Sequence, residues 1–276
     1  MSTHKTDDPE ALFHRAAEHA LAFRRGIAER KQRPDMTYGE ALAKWEAPTP
    51  EKGEPSEAVL EEMVRLADGG LHAMTGPRFF GWVIGGSHPA GVAADWLVSA
   101  WGQNVGNHIA TPAASSAEAV AAKWLVDILN LPKDSSVGFC TGATMANFVG
   151  LAAGRSEVLR RLGWDVEAKG LFGAPEIRVA VGEDVHISAM SALQFLGLGH
   201  ERVLRIATDE EGRMLPGALA KALDAGTGPC IVMAQAGQIN TGASDPFDEI
   251  VPIAKRHGAW VHVDGAFGLW GNACPT

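Results

Sequence analysis

The chain has 276 residues, 46% of them hydrophobic and 21% charged, which is enough for one large domain with a sizeable core. Its formal net charge of −9, with acidic and basic residues interspersed, argues against a nucleic-acid surface, and its three scattered cysteines argue against a disulfide framework or a zinc site. No apolar run approaches the ~18 residues of a membrane-spanning helix, and the polar N-terminus lacks a signal segment, so we expect a cytoplasmic protein.

Two helices are predicted in the first 75 residues. Apolar residues recur at helical spacing over residues 9–32, and a second amphipathic stretch begins near Ser56, whose side chain is placed to cap it. A proline- and glutamate-rich connector over 48–55 separates the two. Because neither helix has a core of its own, we expect residues 1–75 to be a helical segment that packs on another body, such as a partner subunit.

Beyond residue 76, short apolar runs alternate with helical segments. The pattern predicts helices at about 90–102 and 116–130, a short apolar run at 137–139, and a helix from Thr144 to about Leu162. The later segments are strands at 177–181, 203–206, 230–236 and 259–264, separated by helices at 188–198, 216–224 and 246–257. Short β-rich runs between helices predict an α/β domain over 76–276, with a mostly parallel sheet covered on both faces.

Ligands of open α/β sheets bind beyond the carboxyl ends of the strands, so the residues after each predicted strand are candidates for chemistry. The first candidate is the run of small residues at 138–147, which leads into a helix. A helix N-terminus with exposed N–H groups and a hydroxyl suits a phosphate group. The run lacks the lysine of a P-loop and the glycine spacing of a dinucleotide site, and a tight turn capped by Thr144 is the structural alternative.

The other two candidates are Asp264 and His186. Asp264 ends the last strand, where a carboxylate needs a partner, and a protonated pyridine nitrogen is suitable. A helix cap or a structural salt bridge explains it equally well. His186 follows an earlier strand and is placed to stack on an aromatic ligand ring or to handle protons. Its alternative is an exposed loop histidine, with Ser188 capping the next helix.

Taken together, these stretches resemble the group II pyridoxal-phosphate-dependent decarboxylases, which include aromatic amino-acid and glutamate decarboxylases. The resemblance extends from about Arg78 to Trp270. It is carried by the stretches at 78–87 and 115–131, by the phosphate-loop-like 141–147, by His186, by the turn at 237–246 and by the His-Val-Asp segment at 262–268. It implies the large domain of the aspartate aminotransferase-like, pyridoxal-phosphate-dependent transferase fold, preceded by an α-helical segment.

The resemblance also implies a role for each matching residue. Pyridoxal 5′-phosphate would be the cofactor, with Ala143 and Thr144 on its phosphate, His186 stacked on the ring, and Ala266 against the opposite face. Asp264 would pair with the ring nitrogen. His186 would in addition assist proton transfer. Asn240 or Thr241 would contact the cofactor near its reactive end. The implied substrate is an amino acid, and the implied assembly is a homodimer in which the N-terminal helices wrap the partner.

One feature departs from the family's pattern. In the resembled family a Schiff-base lysine lies well beyond the aspartate, whereas this chain has twelve residues after Asp264 and none is a lysine; its last lysine, Lys255, precedes the aspartate. We therefore expect an N-terminal fragment, with the sheet incomplete and the small C-terminal domain absent, that is inactive alone. The alternatives are a sphingosine-phosphate-lyase-like or aminotransferase reaction on the same fold, and a non-catalytic binding or interaction module.

Overall fold

The computed structural model describes residues 8–274, which divide into two compact units, one ending at Gly102 and the other beginning at Gln103. The described part of the first unit is helical, with α1 (Pro9–Gly26), α2 (Tyr38–Trp45), α3 (Ser56–Ala67) and α4 (Pro89–Trp101). The domain boundary predicted between residues 75 and 76 stays a prediction. None of the helices in residues 8–274 combines the length and the apolar character that crossing a bilayer requires.

The helices of the first unit differ from their predicted bounds in three ways. α1 ends at Gly26, before the predicted residue 32, and turns follow it. α2 was not predicted, because its eight residues are too few to show a clear period; a capping box between Thr37 and Glu40 starts it. α3 begins at Ser56 as predicted, but Pro55 is its N-cap residue, so Ser56 is the first residue of the helix and not its cap.

The second unit has the predicted α/β fold. Its elements in chain order are α5 (Pro112–Ile128), α6 (Ala143–Arg160), α7 (Val166–Lys169), β1 (Arg178–Gly182), α8 (Ile187–Phe195), β2 (Leu204–Ile206), α9 (Pro216–Asp224), β3 (Cys230–Gln235), α10 (Phe247–Arg256) and β4 (Trp260–Asp264), followed by a 3₁₀ helix (Gly268–Ala273). The four strands are parallel and lie in the order β2-β1-β3-β4. The strands and the helices between them begin and end within three residues of their predicted bounds.

The core of this unit lies on both faces of the sheet. Successive side chains of a strand point to opposite faces, so Ala180 and Val232 face one layer while Val181 and Ile231 face the other. α9 and α10 cover the first face with Leu219, Leu223, Ile250 and Ile253, and α6 and α8 cover the second with Leu151, Val158, Ala189 and Leu193. Coverage of both faces explains why the strands read as continuous apolar runs.

Two local features of the second unit depart from the prediction. The apolar run at 137–139 forms neither strand nor helix, and Val137 and Phe139 are exposed. A strand requires hydrogen-bonded neighbours, and the run has none among the described residues. The short helix α7 was not predicted; Asp165 caps it by accepting from the N–H groups of Glu167 and Ala168.

Candidate functional site

A cleft lies at the carboxyl ends of β1, β3 and β4, where a ligand of a parallel sheet is expected. It is lined by Gly182, Asp184, Val185, Gly212, Met233, Ala234, Gln235, Asp245 and Asp264. The buried Asp245 fixes the backbone on one side of the cleft, because its carboxylate accepts hydrogen bonds from the N–H groups of Met214 and Gln235, each at 2.7 Å. Burial raises the pKa of Asp245, and these two hydrogen bonds oppose that rise.

The N-terminus of α6 is open. Gly142 is its N-cap residue and provides no side-chain hydrogen bond, and the N–H groups of Ala143 and Thr144 have no acceptor within residues 8–274. Thr144 is the second residue of the helix and not its cap, and its exposed hydroxyl has no partner in the described part of the chain. Unsatisfied N–H groups at the positive end of a helix dipole are suited to an anion.

One turn into α6, the side chain of Asn147 points to the interior and is only 3% exposed. Two glycines of α6 allow this helix to lie close against β4. A β-carbon at Gly150 would lie 2.8 Å from the ring of His262, and one at Gly154 would lie 2.6 Å from the ring of Trp260. This contact brings Asn147 Nδ2 to 2.9 Å from Asp264 Oδ2.

Asp264 is half-buried at the end of β4. Besides the hydrogen bond from Asn147, its Oδ1 accepts from the backbone N–H of Ala266 at 3.1 Å. Within residues 8–274 no lysine, arginine or histidine forms an ion pair with it, and it caps no helix. Neither structural alternative to the predicted binding role therefore accounts for this carboxylate.

His186 lies at the start of α8 and is exposed. It is the N-cap residue of that helix, because its Nδ1 accepts from the N–H of Ser188 at 3.2 Å. The structural alternative named Ser188 as the cap of this helix, but the capping residue is His186. The hydroxyl of Ser188 lies 2.8 Å from the same Nδ1 and 3.3 Å from Asn147 Nδ2. His186, Asp264 and Asn147 therefore belong to one hydrogen-bonded group.

Asn240 and Thr241 lie outside that group. They are exposed in the loop that follows β3, and their backbone N–H groups both donate to Gln238 Oε1. The hydroxyl of Thr241 donates to the carbonyl of Glu211 at 2.8 Å. No hydrogen bond within residues 8–274 links either side chain to Asp264 or His186. The loop starts near β4, since the N–H of Ala236 donates to the carbonyl of Asp264 at 2.8 Å.

Sequence reasoning missed Asn147 and His262 as site residues. Asn147 carried a signal, because it is a polar residue in the same helical stripe as the apolar Leu151 and Val158. His262 is buried, and its Nε2 lies 2.7 Å from Asn147 Oδ1. Burial lowers the pKa of His262, which disfavours the charged imidazolium, and the charge of Asp264 opposes this shift.

Residues 39–275 match the sequence profile of the pyridoxal-dependent decarboxylase conserved domain. The chain belongs to the pyridoxal-dependent decarboxylase family. The family, its pyridoxal 5′-phosphate cofactor and the α/β fold predicted from the sequence are thereby confirmed. The residues present fit that cofactor, because an open helix N-terminus suits its phosphate and a carboxylate without a cationic neighbour suits a protonated ring nitrogen.

Several members of this family are similar to the chain. The acidic amino acid decarboxylase of Bos taurus is 29% identical over 78% of this chain and 41% of its own length. Tryptophan decarboxylase 1 of Oryza sativa is 28% identical over 97% of this chain and 54% of its own length, and the aromatic-L-amino-acid decarboxylase of Bacillus atrophaeus is 29% identical over 79% and 44%. The chain thus spans about half the length of the curated relatives it matches.

Solved structures of this fold superpose closely on the chain. Mouse CSAD has a TM-score of 0.84 at 26% identity, covering 95% of this chain and 57% of its own. Oryza sativa TDC, solved with PLP and tryptamine, has a TM-score of 0.86 at 25% identity, covering 100% of this chain and 58% of its own. In both comparisons the similarity therefore covers residues of both units of this chain.

Proposed function

We propose that the protein is a pyridoxal 5′-phosphate-dependent amino-acid decarboxylase. The observation that carries this proposal is the position of Asn147. It stands one turn after the open N-terminus of α6 and donates to Asp264, a carboxylate without an ion-pair partner in the described part of the chain. An anion site and a site for a cationic ring nitrogen on one rigid scaffold match the phosphate and the pyridine of this cofactor.

Each end of the cofactor would be held by different groups. The N–H groups of Ala143 and Thr144, with the Thr144 hydroxyl, would bind the phosphate. Asp264 would accept from the ring nitrogen and keep a proton on it, because a neighbouring carboxylate favours the cationic form of the ring. The bound cofactor supplies an electron sink for the electron pair that remains when a substrate carboxylate leaves as carbon dioxide.

The two faces of the ring would meet different side chains. His186 would stack on one face and, through Nε2, move a proton at the reacting carbon; Ala266 would pack on the other. Asn240 is our choice for the contact near the reactive end, because its side chain has no partner within residues 8–274. The hydroxyl of Thr241, in contrast, already donates to the carbonyl of Glu211.

We propose an L-amino acid as the substrate, because the similar proteins are named for decarboxylating acidic amino acids, tryptophan and aromatic amino acids. These names favour decarboxylation over carbon–carbon cleavage or amino-group transfer. In line with these names, we propose that the protein acts in amino-acid metabolism, and we propose a cytoplasmic location for it.

We propose further that the protein forms a homodimer through its N-terminal helices. α1 and α4 border an apolar groove lined by Phe13, Ala16, Ala17, Ala20, Ala93, Trp96 and Leu97. Phe13 is 65% exposed and Trp96 46%, and such a surface is typical of an interface. Sedimentation equilibrium should give twice the chain mass of 29.1 kDa, and Phe13→Glu should shift the protein toward the monomer. A monomeric wild type would contradict the dimer.

Cofactor binding can be tested on the chain itself with pyridoxamine 5′-phosphate, whose amine cannot condense with lysine side chains. Titration calorimetry should show one site per chain, and Asp264→Asn should weaken binding at least about tenfold, since it removes the charge opposite the ring nitrogen. Asp248→Asn, at an exposed position of α10, is the matched control and should bind like the wild type. Wild-type protein that does not bind would contradict the proposed cofactor site.

The reaction can be tested on the protein purified from the cells that produce it. Carbon dioxide released from carboxyl-labelled L-glutamate, L-aspartate, L-tryptophan and L-tyrosine should identify the substrate class. Asp264→Asn should lower the rate by about 10²–10³-fold, because it removes one preorganised electrostatic group. Formation of a 2-oxo acid without carbon dioxide would identify an aminotransferase and overturn the proposal.

A further inference from the structure

The buried amide of Asn147 lies between three polar side chains. Its Oδ1 lies 2.7 Å from His262 Nε2, and its Nδ2 lies 2.9 Å from Asp264 Oδ2 and 3.3 Å from Ser188 Oγ. Asn147, Ser188 and His262 are all buried, and they come from α6, α8 and β4. Both polar atoms of the Asn147 amide therefore have hydrogen-bond partners inside the protein.

The contacts determine which way this amide points. An ionised carboxylate only accepts hydrogen bonds, so the NH₂ group of Asn147 must face Asp264. Its carbonyl oxygen then faces His262 and needs a donor, which requires the proton of that imidazole to be on Nε2. Burial, which lowers the pKa of His262, is consistent with a neutral ring that carries this single proton. His262 thus prevents the amide from flipping.

The second branch of contacts leads to His186. The N–H of Ser188 donates to His186 Nδ1, so this nitrogen carries no proton and the imidazole proton is on Nε2. The Ser188 hydroxyl lies 2.8 Å from the same Nδ1 and donates to it, while its oxygen accepts from Asn147. One amide group therefore contacts the carboxylate directly and the histidine through one hydroxyl.

We propose that Asn147 is a positioning residue that fixes the positions of Asp264 and His186 relative to each other and to the cofactor ring. His262 fixes the orientation of the Asn147 amide. This inference rests on the proposed function, because it concerns the two residues assigned there to the ring. It goes beyond that function by assigning roles to Asn147, Ser188 and His262. A rotation of the amide by half a turn would place its carbonyl oxygen against Asp264. It would break the hydrogen bond to Asp264 and the one to Ser188, which leads to His186.

The decisive variant is Asn147→Leu, which keeps the volume and removes both polar atoms. Loss of a hydrogen bond to a charged group should weaken binding of pyridoxamine 5′-phosphate by about 10- to 100-fold. Binding of inorganic phosphate at the N-terminus of α6 should stay within about twofold of the wild type, because backbone N–H groups form that site. A purely structural role would weaken both ligands together.

The ring nitrogen supplies a second readout. Pyridoxamine 5′-phosphate labelled with ¹⁵N in the ring should show the chemical shift of a protonated nitrogen when bound to the wild type, and should move toward the neutral value in Asn147→Leu. Ser188→Ala cuts only the branch to His186, so it should keep the wild-type shift. His262→Gln keeps an N–H donor and should bind like the wild type, whereas His262→Leu should resemble Asn147→Leu.

The possible results separate this inference from the proposed function. A wild-type chain that binds no pyridoxamine 5′-phosphate would overturn both. Normal binding by the wild type, with unchanged affinity and ¹⁵N shift in Asn147→Leu, would overturn the positioning role alone. Far-UV circular dichroism shows whether each variant folds. If Asn147→Leu does not fold, the proposal is tested by comparing the affinity and the ¹⁵N shift of His262→Gln with those of His262→Leu. Equal behaviour of these two variants would overturn the role of His262 and with it the proposal.

Discussion

Gly154 of α6 lies against the indole ring of Trp260 on β4 so closely that a β-carbon at residue 154 would come within 2.6 Å of Trp260 Cδ1. Real β-carbons do not approach other atoms this closely, so any larger residue forces the helix and the strand apart. The same helix carries Asn147 to Asp264, so the fold of the site depends on this contact.

We expect Gly154→Ala to lower the free energy of unfolding by about 1–3 kcal/mol, because overpacking displaces buried side chains. Urea unfolding followed by circular dichroism measures the change. Gly217→Ala is the matched control, since a β-carbon at that position of α9 meets no atom within 4 Å. There the stability should be unchanged or up to about 1 kcal/mol higher. Equal effects of the two substitutions would refute the close approach of α6 to β4.

We expect Leu151→Ala to destabilise the protein by about 2–5 kcal/mol, because Leu151 is 0% exposed in the core between α6 and the sheet. Leu162, just beyond the end of the same helix, is 55% exposed and serves as the control. Leu162→Ala should change the free energy of unfolding by at most about 0.5 kcal/mol. The prediction fails if truncation at both sites has the same cost.

The three cysteines should react at different rates. Cys140 and Cys274 are exposed, whereas Cys230 is buried in β3, where burial raises the pKa of its thiol to about 11. Because the thiolate is the reactive form, Cys230 should remain unmodified by an aromatic disulfide reagent at pH 8 while the other two react. Addition of denaturant should release the third thiol. Three equal rates in the folded protein would argue against the burial of β3.

Stability should depend on pH through His262. Burial lowers the pKa of this imidazole below its ordinary value of 6.5, so the unfolded chain binds the proton more tightly than the folded protein does. The free energy of unfolding should therefore fall as the pH decreases below about 6.5, by at most about 1.4 kcal/mol per pH unit from this group. Urea unfolding between pH 7.5 and 5.5 measures the slope.

The control for that slope is His262→Gln, which retains a donor to Asn147 but does not titrate. All other ionisable groups are the same in the two proteins, so the difference between their slopes reports His262 alone. We expect a shallower slope in the variant. Identical slopes would mean that His262 titrates alike in the folded and unfolded states, which would contradict its burial.

Local patterns in the sequence were sufficient to predict most of the α/β unit. α9 was predicted with its observed bounds, and β3 and β4 each to within one residue. Such segments are readable because helical spacing and apolar runs are properties of neighbouring residues. Segments without such a pattern were missed or misjudged: α2 is only eight residues long, and the apolar run at 137–139 has no strand to pair with.

The sequence alone determined the family, the alternation of the four strands with the helices between them, and the placement of His186 and Asp264 after strands. The tertiary structure decided what these residues contact. Asn147 and Asp264 are 117 residues apart in the chain, and they meet because two glycines let α6 lie close against β4. A hydrogen bond between distant segments depends on how a helix crosses a sheet, and side-chain packing over the whole unit sets that crossing.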